Sequence, residues 1–465
     1  MEIKNIIGLL FFLYLLTVIT YPVSNDEAIF STIGSNLDNF ELYNHLIDDK
    51  PPGIFAVTYL ISQIPLDTHI MNRIVVFLTT IFTIIITMLL SEKLFGPNSK
   101  LIYIPVLFIL FSIPYLGGII PLTETFENLF IISGIFMFFN SKEKNYELKS
   151  LLISALLFFI GFQIKQTALI FLAIPFLFMV LEKKFKNLIY FFGAFTVFFL
   201  LVLLILSSFG ILDSYLDDVW LFHFERGTYN PFSLTKHLAI SIVLPLLFVS
   251  LPGAYNSLKS KRNLTLILLF TTLIVLLTSA VLIRSFTFRF YFLELVPILL
   301  LFAPITFQHL NKFHKLIQTL VLLSVLFLIL FFGLIFVKTI LLQNFQGNAE
   351  DATLLTYMLE SHNCTNNFAT ITYWYLISGD SPNLIYSLNG MGYEYIGITP
   401  EEFKQFLANP NTCFANYQQF KFYSLEQTPS SKDPLFSLAE EVCECEYSEG
   451  KTSNLAVCYS CFLKE

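Results

Sequence analysis

Asn25-Asp26-Glu27-Ala28-Ile29-Phe30, followed by Asp48-Asp49-Lys50-Pro51-Pro52-Gly53, is the stretch on which the reading of this chain turns. It sets several carboxylates and a lysine in the first polar loop of a sequence made mostly of apolar runs. Charge beside hydrocarbon is costly, so an acid-rich loop next to a bilayer marks a functional site by default.

The class follows from composition. Of 465 residues, 55% are hydrophobic and 13% charged, against roughly 25% charged in soluble domains. Mean hydropathy is +0.70. Apolar runs long enough to span a bilayer, about 20 residues each, recur near 5–23, 70–91, 101–118, 124–140, 150–164, 167–182, 187–212, 236–256, 264–283, 290–306 and 316–342. The expected fold is an α-helical polytopic membrane protein with about eleven transmembrane helices. Lys165-Gln166 alone separates the fifth run from the sixth, as a tight hairpin or a broken helix would. The first run has no small-residue cleavage site before Asn25 and reads as a retained helix.

Lysines set the orientation. With the N-terminus cytoplasmic, alternate short loops carry Lys93 and Lys100, then Lys142, Lys144 and Lys149, then Lys183, Lys184 and Lys186, then Lys259, Lys261 and Arg262, then Lys312 and Lys315. The opposite loops carry Asp26, Glu27, Asp48, Asp49, Glu124, Asp217 and Asp218, so the acids face outward. The net charge of −7 lies in these loops and the tail and does not point to nucleic acid. The spans themselves read as almost free of mid-membrane charge. An odd number of spans also puts the tail outside.

The division expected is a transmembrane region 1–342, with its first external loop at 24–69, and an external soluble α/β domain at 343–465. In the tail, 371–375 reads as a strand, and 351–360 and 400–407 as helices. All six cysteines, at 364, 413, 443, 445, 458 and 461, lie there. An even number in an outward-facing domain favours disulfides. Cys443, Cys445, Cys458 and Cys461 could instead supply four thiolates to zinc, although a one-residue gap in the first pair is short for that.

Each polar candidate has a plain structural reading beside the chemical one. Asn25 or Asp26 could cap a helix read over 26–34, and Lys50, just before a second loop helix read over 54–64, could snorkel to the headgroups. Arg284 and Arg289 could be interfacial anchors. Glu124 shares a helix face with Glu127. His223, Glu225 and Arg226 are too few for a metal site and read as a solvated loop.

Taken in order, an acidic pair after the first span, Lys50-Pro51-Pro52-Gly53 opening a loop helix, and Glu124 before the fourth span resemble the membrane-embedded glycosyltransferases of the GT-C fold. The closest likeness is to the protein O-mannosyltransferase and aminoarabinose transferase group. It covers about residues 1–310 and is supported by Leu122-Thr123-Glu124-Thr125, Gln163-Ile164-Lys165-Gln166 and Arg289-Phe290-Tyr291-Phe292-Leu293. The resemblance implies inverting transfer of a sugar from a polyprenyl-phosphate donor to an acceptor hydroxyl on a protein, lipid or glycan at the outer face. It assigns the general base to Asp26, with Glu27 and Glu124 orienting base or acceptor, and donor phosphate to Lys50, Arg284, Arg289 and Lys165. No metal-binding signature is present and no cofactor is called for. The protein mannosyltransferase-like members work without a metal, whereas others in the GT-C fold use a divalent cation. A transporter or flippase for a lipid-linked glycan is the alternative, and a receptor or scaffold acting through its tail the third reading. Acids gathered at one face favour interfacial chemistry over a translocation path.

Overall fold

The computed structural model describes residues 3–20, 25–38, 42–43, 46–66, 68–96, 118, 120–221, 243–282, 292–337 and, in the tail, 357, 361, 366–369, 385–386, 412–419, 443–449 and 453–459. The third expected span, 101–118, lies almost entirely outside these residues. So do Arg284, Arg289, His223, Glu225, Arg226 and the tail segments 371–375 and 400–407.

Helices built on the apolar runs form the body. Helix α1 (Ile3–Thr20) is tied to α4 (Thr68–Phe95) by the buried Tyr14 hydroxyl, which donates to Thr80 Oγ1 at 3.1 Å or to the Gly118 carbonyl at 3.0 Å. Between them lie two short loop helices, α2 (Asn25–Ser35) and α3 (Pro52–Ser62). Both match the expected loop helices to within two residues. Pro52 starts α3, where its missing N–H costs nothing. Along α4, Thr83 and Thr87 return their hydroxyls to the carbonyls of Thr79 and Thr83. That satisfies them inside an apolar bundle.

Helices α5 (Thr123–Glu143) and α6 (Leu148–Ile164) pack closely. Gly134 admits the Phe158 ring, and Ser154 Oγ donates to the Gly134 carbonyl at 2.8 Å. After Ile164 the chain makes a 3₁₀ stretch, Gln166–Leu172, and continues as α7 (Ala173–Leu181). Tyr146, before α6, donates to Glu182, after α7, at 2.7 Å. The run therefore turns back on itself, which settles the hairpin over the broken helix. Helix α8 (Phe185–Ser208) shows large apolar residues to its surroundings, with Ile189 69% and Leu204 65% exposed. Such a surface belongs in lipid. Among the described residues, Ile70–Phe95 and Phe185–Ser208 are long and apolar enough to cross a membrane by themselves.

Next come a short helix, α9 (Leu212–Leu216), a π turn at Asp217–Leu221, α10 (Val243–Ser257) and α11 (Arg262–Leu282). The tenth expected span is not one helix. Pro297 and Pro304 each open a short segment, α12 (Val296–Leu300) and α13 (Ala303–Gln308). Proline is favoured in a first helical turn and disfavoured in an interior, so two of them divide the run. Gly253 of α10 lets this broken strand of chain approach, and its N–H donates to Thr306 Oγ1 at 2.8 Å. Helix α14 (Lys315–Val337) follows.

Charges sort to the two ends. At one end Lys93 pairs with Glu143, Lys142 with Glu182 at 2.6 Å, and Lys261 donates to the Leu94 carbonyl. The loop acids and their partners occupy the other end. The bundle interior carries charge as well. Arg73, Glu127, Lys165 and Glu294 are all buried in it. They lie near the acidic end, where a bundle interior shields them from lipid.

In the tail, β2 (Asn366–Ala369), β4 (Thr412–Gln419), β5 (Glu444–Glu449) and β6 (Ser453–Tyr459) form a sheet of order β2-β4-β6-β5. The β2–β4 pair is parallel and the others antiparallel. A separate two-residue parallel pair joins β1 (Leu46–Ile47) of the first loop to β3 (Ile385–Tyr386). Cys443 and Cys445 are disulfide-bonded, which removes them from the zinc alternative. Of the helix expected at 351–360, Tyr357 is among the described residues and is helical.

Candidate active site

The site is assembled where α2, the turn before α3, the start of α5 and the α6–3₁₀ break meet. Asp26 and Glu27 occupy the first turn of α2, where carboxylates are favoured by the helix dipole. Successive helical residues point about 100° apart, so the two acids serve different surroundings. Glu27 turns inward and is closed on Arg73 of α4, neither side chain exposed. Asn72, next to Arg73, donates to Ser31 at 2.7 Å and fixes α2 against α4.

Asp26 is only partly buried. Among the described residues it accepts no hydrogen bond. Burial pushes its carboxyl up from 3.8 to about 6. The Lys50 ammonium opposes that rise, while the Glu124 and Asp49 carboxylates add to it. These three charges therefore share the neighbourhood of Asp26.

Lys50 is held through its backbone. Its N–H donates to Asp48 Oδ1 at 2.9 Å, a local turn of the kind aspartate favours. Its carbonyl accepts the Tyr43 hydroxyl at 2.8 Å. Tyr43 is buried, stacked edge-on to Tyr215, and sits at φ 68°. A bulky side chain in that left-handed region costs energy that the surroundings must overcome. The Lys50 ammonium pairs with Asp49. On the far side of Lys50, Gly53 lies against Gln163 so closely that a β-carbon would stand 2.5 Å from the Gln163 carbonyl oxygen. Gln166 Nε2 donates to the Asp49 carbonyl at 2.9 Å. The 163–166 run thus grips the Lys50 turn from both flanks.

Between those grips, Lys165 is extended at φ −153°, ψ 137°, which ends α6 and turns its side chain inward. Its buried ammonium pairs with Glu124 at 2.7 Å and with Glu294. Thr167 donates to Glu294 at 2.9 Å or, at 3.4 Å, to Glu127. Asn128 holds the 292–295 segment by donating to the Leu293 carbonyl at 3.0 Å. One lysine therefore stands among three buried carboxylates, paired with Glu124 and Glu294 and linked to Glu127 through Thr167.

Arg73 and Glu294 escaped the sequence reading. Both stand inside apolar runs, Ile70-Met71-Asn72-Arg73-Ile74 and Phe292-Leu293-Glu294-Leu295. A lone ionisable residue in a span is itself the signal that could have found them. Among the described residues no group of three or more side chains is arranged to hold a metal.

The fold is the polytopic GT-C fold of solved membrane proteins. Two structures of ArnT from Cupriavidus metallidurans align over 98% of this chain and 97% of theirs. The one bound to undecaprenyl phosphate gives TM-score 0.65 at 10% identity, and the apo one 0.62 at 11%. The Archaeoglobus fulgidus oligosaccharyltransferase, solved with Zn and sulfate, gives 0.53 at 12% identity over 96% of this chain and 72% of its own. At these identities the likeness is one of fold. No protein-family model matches the chain, and no curated protein matches it by sequence.

Proposed function

We propose that this protein is a membrane glycosyltransferase that moves a sugar from a polyprenyl-phosphate donor to an acceptor hydroxyl at the outer face. The observation that carries the reading is Asp26: a partly open carboxylate with a raised pKa beside the Lys50 ammonium. Base and phosphate-binding cation are thereby neighbours at one end of the bundle. The donor class is supported by solved structures of the same fold, one bound to undecaprenyl phosphate and another, the archaeal AglB, holding dolichol-phosphate.

In this mechanism the acceptor oxygen attacks the anomeric carbon while Asp26 takes its proton. The bond from anomeric carbon to phosphate oxygen breaks, and its electron pair leaves with polyprenyl phosphate, inverting the anomeric centre. A phosphate leaving group needs counter-charge more than a proton, which Lys50 supplies once its pairing with Asp49 loosens. Lys165, held by Glu124 and Glu294, then acts on the charge balance behind the site, and Glu124 raises the basicity of Asp26. Glu27, locked to Arg73, positions α2 and with it Asp26. Arg284 and Arg289 are retained as second phosphate contacts on the resemblance alone. The N-terminus lies in the cytoplasm in this reading, and residues 343–465 form an external domain.

The test is transfer or hydrolysis of a panel of radiolabelled polyprenyl-phosphate sugars by purified protein in detergent, wild type beside Asp26→Asn. Release of polyprenyl phosphate by wild type alone would support both reaction and base. Equal turnover by Asp26→Asn would remove Asp26 from the role. No turnover of any donor by folded wild type would overturn the reading.

A further inference from the structure

At the end of the bundle opposite Asp26 lies an open cavity of about 600 Å³ that the transfer reaction does not use. Four cations line it, Lys93, Lys142, Lys261 and Arg262, against two carboxylates, Glu143 and Glu182, so the lining carries two net positive charges. Lys93 and Lys142 are engaged by those carboxylates. Lys261 and Arg262 are not, and Arg262 makes no ion pair among the described residues. Phe139, Phe178 and Leu181 add an apolar surface to the lining. The Lys142 ammonium stands 4.3 Å from the centre of the Phe178 ring, which joins the two kinds of surface.

We propose that this cavity holds the headgroup of an anionic phospholipid from the leaflet opposite the Asp26 site. Phosphate fits the Lys261–Arg262 pair, whose charges no carboxylate among the described residues neutralises, and the glycerol and first acyl carbons fit the phenyl wall. The cavity opens at the ends of α4, α5, α7 and α11, where a headgroup stands beside membrane helices, and its volume is in the range of ligand pockets. Basic pockets between helices on this face are suited to anionic headgroups. A soluble phosphate ester would leave the apolar wall uncovered. The inference rests on the membrane reading of the fold and is independent of sugar transfer.

The experiment is native mass spectrometry of the delipidated full chain in detergent, offered phosphatidylglycerol or phosphatidylcholine with identical acyl chains. Preferential retention of phosphatidylglycerol is expected, falling about fivefold for each cation removed in Lys261→Gln and Arg262→Gln. Lys261 also ties the end of α4, so Arg262→Gln alone and Lys261→Arg guard against misfolding, and the latter should keep the preference. Equal retention of the two lipids would overturn the proposal, as would full retention by folded Arg262→Gln. Displacement of the lipid by excess inorganic phosphate would identify a soluble-anion site and also overturn it.

Discussion

Arg73 of α4 is closed on Glu27 of α2 with neither side chain open to solvent. Removing one member of such a pair strands the other charge, which costs about 3–5 kcal/mol, whereas replacing both by apolar residues of similar size costs far less. Arg73→Met and Glu27→Leu should each lower the melting temperature in detergent sharply, and the double variant should recover most of the loss. Transfer should not recover with it, because α2 loses the anchor that aims Asp26. Additive losses in the double variant would show that the two residues act separately.

Because the base must be ionised, transfer should rise with pH through about 6 and level off above it. A profile of kcat/KM against pH checks this, and an acid limb at the ordinary carboxylate value near 4 would contradict it. Asp218 is also raised to about 6 by burial and by Asp217 and Asp49. Asp218→Asn should leave the limb in place, which separates the two groups.

Stability should move the opposite way. A pKa raised above its unfolded value makes the ionised form costly, so the penalty is absent at low pH and complete above about 6. Asp26→Asn should therefore raise the melting temperature near neutral pH and leave it unchanged at acid pH. The gain is below about 3 kcal/mol, the full worth of the shift, because the side chain is partly open to solvent.

Neighbouring charges set where the limb falls. Lys50 lowers the Asp26 pKa and Asp49 raises it. Lys50→Met should shift the acid limb upward and weaken donor binding. Asp49→Asn should shift it downward, since it deletes a repulsive charge and one partner of Lys50. A limb that stays put in both variants would show that another group titrates there.

Much of this arrangement is legible in the sequence because two of its rules are local. Hydrophobic run length gives the helices, and the alternation of lysine and acid loops gives the two ends. Asp26, Lys50 and Glu124 stand out because they punctuate those runs. Partnership is not local. Nothing near Lys165 announces Glu124, 41 positions away, or Glu294, 129 away. The same holds for Arg73 and Glu27. The division of the 290–306 run was readable in Pro297 and Pro304, but total apolarity outweighed them.

Gly53 offers a mechanical test. An alanine there would drive a methyl into the Gln163 backbone, which cannot swing aside as a side chain could. Gly53→Ala should cost about 1–3 kcal/mol and lower transfer more than donor binding, as α3 and the Lys50 turn are pushed from α6. Separate kcat and KM values decide it; an unaffected kcat would show that the gap closes elsewhere.

The grip of residues 163–166 on both flanks of Lys50 also bears on how such a protein could diversify. The backbone on either side of this lysine is clasped to the run that carries Lys165, so the spacing between the two cations behaves as a fixed gauge. A lineage changing its sugar would leave that gauge alone, since the phosphate that Lys50 meets is common to every donor of the class, and would rewrite the surfaces facing the variable part of the substrate.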